Sequence, residues 1–366
     1  MKSLKNFIKK NLELLNFIPA ITKNNNLKNL LDNNLFTLID VGATGGMDGN
    51  WNEIKKICHY ITFDPDPRAQ IISSYAKHTN YNFALWSEKK ENLPFYLTKY
   101  PEASTLFQLN KNTLSSFLNS ESHEQIKIST INANSIEKIL KNPFDFIKVD
   151  AEGADLEILK GAEKFLKDSC LGIEVEVSFI NRHKNAPYFS ETDSYIRNLD
   201  FALMDLQTEK WIRKNNVFST KTTPQLIWGN AIYVLSKESL LKKMKNLSQE
   251  NRDILFTKYI TILLIYHFHD YAIEICDYVS NEKKLISLNY MLDLRKTIIK
   301  SMPSKVYHIF KLLLSLLIPS ILICIFWFSK KARTSLVNYL KKRLVDLSHY
   351  LVRLSRYGPN NSCISG

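Results

Sequence analysis

The residues best placed to do chemistry stand where one apolar run breaks off. Thr37–Val41 leads into Ile39-Asp40-Val41-Gly42-Ala43-Thr44-Gly45-Gly46, and the next apolar run ends at Phe63-Asp64-Pro65-Asp66. Glycines let a backbone turn tightly and approach a ligand closely. A carboxylate at the end of the second strand can accept two hydrogen bonds from a ribose diol. The turn does not have GxGxxG spacing. Asp40 precedes its first glycine, where a carboxylate would repel a pyrophosphate. It would suit a cationic group, such as the sulfonium and amino acid end of S-adenosylmethionine. Two readings without a ligand stay open: a tight strand-to-helix turn at Gly42, and an Asp64 that caps the following helix.

A second cluster is Lys148-Val149-Asp150-Ala151-Glu152-Gly153. In a strand Lys148 and Asp150 share a face, and a buried lysine requires a partner. Glu174 and Glu176 on the following strand are candidates, so Lys148–Glu174 reads equally well as a structural ion pair. Asp150, Glu152 and Glu176, nearer the strand ends, are the catalytic candidates. Methyl transfer to oxygen needs an aligned acceptor and a group to take the hydroxyl proton. His267 and His269, at i and i+2, do not share a helix face, and no metal site is expected. Asp64-Pro65-Asp66 also matches the short DxD of metal-dependent glycosyltransferases.

These residues need a scaffold that gathers several strand ends. Strands are expected at Thr37–Val41, Tyr60–Phe63, Tyr81–Leu85, Phe95–Thr98, Ile126–Ile131, Phe144–Val149 and Leu171–Phe179. Helices are expected at Trp51–Ile57, Pro67–Ala76, Ile136–Leu140, Ala154–Leu166 and Glu191–Leu199. Alternation of this kind implies a mostly parallel sheet with helices on both faces. Phe201–Leu206 and Gln225–Leu235 follow with no helical pattern between them, an antiparallel closing pair. In such a sheet the ligand lies beyond the carboxyl ends of the strands, where strand order reverses. That rule assigns Gly42, Ala43 and Gly46 to the methionine part, Asp64 to the ribose, and Leu85 and Trp86 to the adenine. Asp150 borders the same crevice.

The chain has 366 residues and a net charge of +13. From Pro303 onward there are ten Lys/Arg and one acid, so this tail carries about nine of those charges. The rest is only mildly basic, and no nucleic-acid partner is expected. Five scattered cysteines without CxxC spacing fit a reducing compartment rather than a disulfide framework. Met1 to Lys10 has no apolar core and no small-residue cleavage site, so no signal peptide is read. Four regions follow: an N-terminal helical segment (1–34), an α/β domain (35–236), a helical extension (237–302) and a basic apolar tail (303–366). Within the tail, Leu312–Phe328 is apolar, carries no charge and is interrupted by Pro319. It is short for a span, and its flanks are basic on both sides. The expectation is in-plane attachment of residues 303–345 to an anionic membrane. A buried helix and a single span remain alternatives.

Ile39 to Gly46, Phe63-Asp64-Pro65-Asp66-Pro67, Ala84-Leu85-Trp86-Ser87, Ser104-Thr105-Leu106 and Asp145 to Ala162 form an ordered set. With Gln225 to Ala231, this set resembles the FkbM family of S-adenosylmethionine-dependent methyltransferases, over roughly Leu35 to Leu235. The resemblance implies a seven-stranded Rossmann-like methyltransferase sheet with a C-terminal helical extension. It implies S-adenosyl-L-methionine as cofactor and O-methylation of a hydroxyl, often on a sugar or glycan. Asp40, Gly42, Gly46 and Asp64 fall on the cofactor motif, and Asp150 and Glu152 on the second motif. Thr44 stands where the family commonly has asparagine. Ser104 to Glu124 is where acceptor specificity is expected. With the tail, the expected location is the inner face of the cytoplasmic membrane. A metal-dependent nucleotide-sugar glycosyltransferase and a non-catalytic membrane-bound module are the alternatives.

Overall fold

Three strands in the middle of the chain are buried almost throughout, and the fold is organised on them: Phe36–Val41 (β1), Phe146–Val149 (β7) and Gly172–Ser178 (β8). Parallel strands covered on both faces read as near-continuous apolar runs, as these do. In the computed structural model the described residues are 24–46, 49–69, 74–118, 123–214, 223–281 and 285–301. The expected N-terminal segment up to residue 23 and the basic tail from residue 302 lie outside them.

The other strands are Cys58–Phe63 (β2), Lys77–Tyr81 (β3), Ala84–Leu85 (β4), Lys90–Thr98 (β5), Gln125–Asn134 (β6), Phe201–Trp211 (β9) and Gln225–Leu235 (β10). Seven of them form one sheet in the order β3-β2-β1-β7-β8-β10-β9. β10 runs antiparallel to both β8 and β9, and the remaining pairings are parallel. The sheet is the expected Rossmann-like one, with the expected antiparallel closure. Strand order reverses direction between β1 and β7.

Several boundaries differ from expectation for identifiable reasons. The third strand of the sheet is Lys77–Tyr81, not Tyr81–Leu85. It is a polar edge strand, so it lacks the apolar signature of the central strands. Ala84–Leu85 instead pairs with β6 in a separate sheet of order β4-β6-β5. The expected helix 154–166 is two helices, Asp155–Lys160 and Glu163–Asp168. A Cβ on the intervening Gly161 would stand 2.2 Å from the Trp86 carbonyl oxygen, so the break falls at a close chain crossing. Trp51–Ile57 is wound as two tighter 3-10 turns, Gly49–Glu53 and Lys55–Ile57. The described parts of Pro67–Ala76 are turn and bend, not helix.

One face of the sheet carries a buried polar row. Thr62, Asp40, Lys148 and Glu174 lie in direct register across β2, β1, β7 and β8. Helices from the C-terminal extension close this face. Tyr266, following the helix Gln249–Ile265, donates from its hydroxyl to Glu174 at 2.5 Å and accepts from Trp51 Nε1 at 3.3 Å. Trp51 itself packs between Phe36 and Phe146, with ring centroids 5.6 and 4.8 Å away. Lys258 of the same helix reaches Asp145 at 2.8 Å and the Leu35 carbonyl at 3.0 Å, tying it to the starts of β7 and β1. Residues 19–299 accordingly make one compact unit that contains the sheet and most of the extension.

Trp51 is fully buried at this junction. Trp51→Ala is expected to destabilise the protein by about 3–5 kcal/mol, read as a lower urea midpoint.

Candidate functional site

At the reversal point the ends of β1 and β7 nearly touch. Gly42 has φ of +73°, and a Cβ there would lie 1.9 Å from the Asp150 carbonyl oxygen. Glycine is therefore required twice over, for its backbone angle and for the lack of a side chain. The Gly42 amide donates to Phe63 O, and the Asp150 amide donates to Val41 O, so the ladders on both sides of β1 run to its very end.

Beyond these ends opens a cleft. Gly42, Thr44, Asp64 and Asp150 border it on one side, with Phe83, Leu85, Phe95, Leu106 and Ile158 forming apolar wall. Of the expected site residues, Gly42, Asp64, Leu85 and Asp150 line the cleft. Three carboxylates line it in all, from Asp64, Glu102 and Asp150, and no Lys, Arg or His among the described residues does.

Asp64 is held firmly. Its Oδ2 accepts from the Thr44 amide at 3.0 Å and the Thr44 hydroxyl at 2.6 Å, and its Oδ1 accepts from the Asp66 amide at 2.9 Å. Burial raises its pKa, against the pull of those hydrogen bonds. The local turn bond to Asp66 and a place in the cleft wall are thus both present. Thr44 supplies two donors to this carboxylate. Asp66 is engaged elsewhere: Arg68 bonds both its oxygens, and Ser104 donates to it at 2.8 Å.

Asp40 is placed differently from the sequence-based expectation. Its carboxylate is fully buried in the polar row, accepts from Tyr60 OH at 2.5 Å and lies 3.6 Å from Lys148 Nζ. Burial raises its pKa, with Lys148 and Tyr60 opposing. Position before a glycine turn did not reveal this, because the alternation of β1 turns the side chain onto the sheet face. Ala43 is also buried, and neither it nor Gly46 is among the cleft-lining residues. Trp86 packs beside Phe107, with ring centroids 5.7 Å apart, and is not part of the lining either. Lys148 lies 3.4 Å from Asp150, so it joins Asp40 in the row to Asp150 at the cleft.

Glu152 and Glu176 come together beneath the cleft through a residue that the sequence did not single out. Arg182, 2% exposed, donates to Glu152 at 3.0 Å and also bonds Glu176. Two buried histidines complete the group. His183 Nε2 lies 3.7 Å and His123 Nε2 4.0 Å from Glu152 Oε2. Burial raises the Glu152 pKa, against Arg182. It pushes His123 down to about 4 and His183 well below the usual histidine range, with Arg182 adding to both. Arg182 and His183 are neighbours in the chain but lie about sixty residues from His123, and the three match no spacing motif.

A sequence profile for the methyltransferase FkbM domain matches residues 40–203, the part of the chain that builds the cleft and this buried group. Over those residues the chain is similar to the FkbM methyltransferase domain. Among solved structures, the crystal structure of methyltransferase FkbM from Methylobacillus flagellatus KT is similar. Sequence identity is 14%, the TM-score is 0.32, and the match covers 55% of this chain and 43% of that one. This chain thus spans less than half of that protein's length. No curated protein matches the sequence.

Neutral His123 has a consequence for stability. The unfolded imidazole titrates near 6.5 and the folded one near 4. Between those values the unfolded chain binds the extra proton, so this residue's contribution falls as pH drops. Raised carboxyls such as Asp64 act in the opposite sense, so the comparison is with His123→Phe. In urea unfolding, the wild type should lose stability relative to that variant from pH 6.5 to 4. A constant difference across the window would contradict the assignment.

Proposed function

We propose that this FkbM-domain methyltransferase is an S-adenosylmethionine-dependent O-methyltransferase acting on a hydroxyl of a sugar or lipid-linked saccharide. The observation that carries the cofactor reading is a cleft lined by Asp64, Glu102 and Asp150 and, among the described residues, by no basic side chain. A diphosphate would meet only repulsion there, whereas a sulfonium and an ammonium find counter-charges. The same observation disfavours a nucleotide-sugar glycosyltransferase, as does Asp66, whose carboxylate is taken by Arg68.

The residues fit the cofactor part by part. Gly42 and Thr44 line the cleft where the methionine part would lie, Asp64 offers a fixed carboxylate to a ribose diol, and Phe83, Leu85 and Ile158 offer an apolar wall to a purine. When bound, the cofactor supplies an electrophilic methyl group on a sulfonium. Asp150, with a side chain 33% exposed at the cleft, takes the proton released as the acceptor oxygen is methylated. Lys148 Nζ stands 3.4 Å from that carboxylate and fixes its place at the cleft. Sugar acceptors are inferred from the family resemblance alone.

Residues 303–345, which lie outside the described structure, are proposed to attach the enzyme to an anionic membrane surface on the cytoplasmic side. The support is their sequence: an uncharged apolar run between basic flanks. No described helix is long and apolar enough to cross a membrane. Full-length protein should float with phosphatidylserine vesicles and a chain ending at Met302 should not; equal behaviour of the two would refute attachment through the tail.

Calorimetry with S-adenosylhomocysteine should give a clear binding isotherm, and a uridine diphosphate sugar with manganese should give none. The reverse result would overturn the cofactor assignment. Asp64→Ala should weaken S-adenosylhomocysteine at least about tenfold, near 1.4 kcal/mol. Asp150→Asn should lower turnover far more than cofactor affinity.

A further inference from the structure

The backbone of Glu152 is in the left-handed region, with φ of +49°, and Gly153 follows at +102°. Glycine adopts such angles freely, but a residue with a Cβ does so at a cost. Something must therefore hold the Asp150–Gly153 turn in place, and three contacts converge on it. Asp155 accepts from the Ala151 and Gly153 amides, both at 2.9 Å. Thr105 Oγ1 donates to the Glu152 carbonyl at 2.7 Å. Arg182 holds the Glu152 carboxylate at 3.0 Å. The first two act on the backbone, and only the third acts through the side chain of the strained residue.

We propose that Arg182 is a positioning residue: by clamping the Glu152 carboxylate from below, it holds Glu152 in its left-handed conformation and so sets Asp150 and Ala151 against the cofactor cleft. Arg182 is well suited to this. It is almost fully buried, it is fixed on its far side by Glu176, and its Nε donates to Ser178 Oγ at 3.3 Å. Burial lowers the pKa of both histidines beside Glu152, and among the described residues Arg182 makes the closest cationic contact to that carboxylate, at 3.0 Å. Asp150 and Ala151 line the cleft, while the Glu152 side chain is not part of its lining. The inference thus gives Glu152 and Glu176 a supporting place under the site instead of contact with the acceptor.

Glu152→Ala and Glu152→Gly differ by one carbon and separate this role from others. Both remove the clamp, but only alanine keeps the Cβ that makes the left-handed angle costly. In Glu152→Ala, hydrogen exchange at the Ala151 and Gly153 amides should quicken, and S-adenosylhomocysteine should bind about tenfold more weakly. Glu152→Gly should exchange more slowly than the alanine variant at both amides and regain most of the affinity. Arg182→Met combined with Glu152→Gln and Glu176→Gln, which leaves neither carboxylate as an unpaired charge, should behave like Glu152→Ala. Equal loss in the alanine and glycine variants would overturn the inference, since the carboxylate itself would then be what matters. Wild-type behaviour of Glu152→Ala would overturn it too. The affinity readout rests on the cofactor reading above. The exchange readout needs no ligand, so a wild type that fails to bind S-adenosylhomocysteine would sink that reading while exchange still decides this one.

Discussion

The contact between Gly42 and the Asp150 carbonyl governs the rest of this structure. Two neighbouring parallel strands end together there, so close that one added carbon would collide at 1.9 Å. Because β1 and β7 end together, the turns after them diverge, and the space between the turns is the cleft. Both turns depend on residues in the left-handed region, Gly42 on one side and Glu152-Gly153 on the other. Strain of this kind persists only where the surroundings over-determine it. Here Thr44 and Asp64 secure the first turn, and Asp155, Thr105 and Arg182 secure the second.

Charge is distributed in layers around that contact. The cleft wall is acidic. Beneath it, Lys148 joins Asp40 to Asp150, and Arg182 joins Glu152 to Glu176. Each buried cation thus serves two carboxylates. Breaking such an arrangement on one side would leave an unpaired buried charge, which is costly. The polar row is covered by Trp51 and Tyr266, so the C-terminal helices support the electrostatics of the site without lining it. The overall charge of +13 says little about the cleft, because most of the excess belongs to the tail.

Much of the fold was legible because the central strands are apolar along nearly their whole length. Phe36–Val41 and Gly172–Ser178 were read within a residue or two, and Gln225–Leu235 at its limits. The polar edge strand Lys77–Tyr81 was not, since an exposed edge imposes no apolar pattern. The helix break at Gly161 was also hidden, because the chain that crosses it there, at the Trp86 carbonyl just after β4, is far away in sequence.

By itself the sequence determined the type of site: a glycine turn, an acid after the second strand, and the Lys148–Gly153 motif are local in the chain. Local backbone geometry is enough to place Gly42, Asp64 and Asp150 at strand ends, and they line the cleft. Only the tertiary structure decided which carboxylates face the cleft and which face a cation. Asp40 turns onto the sheet face toward Tyr60 and Lys148, and Glu152 turns down to Arg182. Those partners lie twenty residues or more away in sequence, on other elements. A side chain's direction there follows from strand register and from the drive to pair buried charge, neither of which any short stretch of sequence contains.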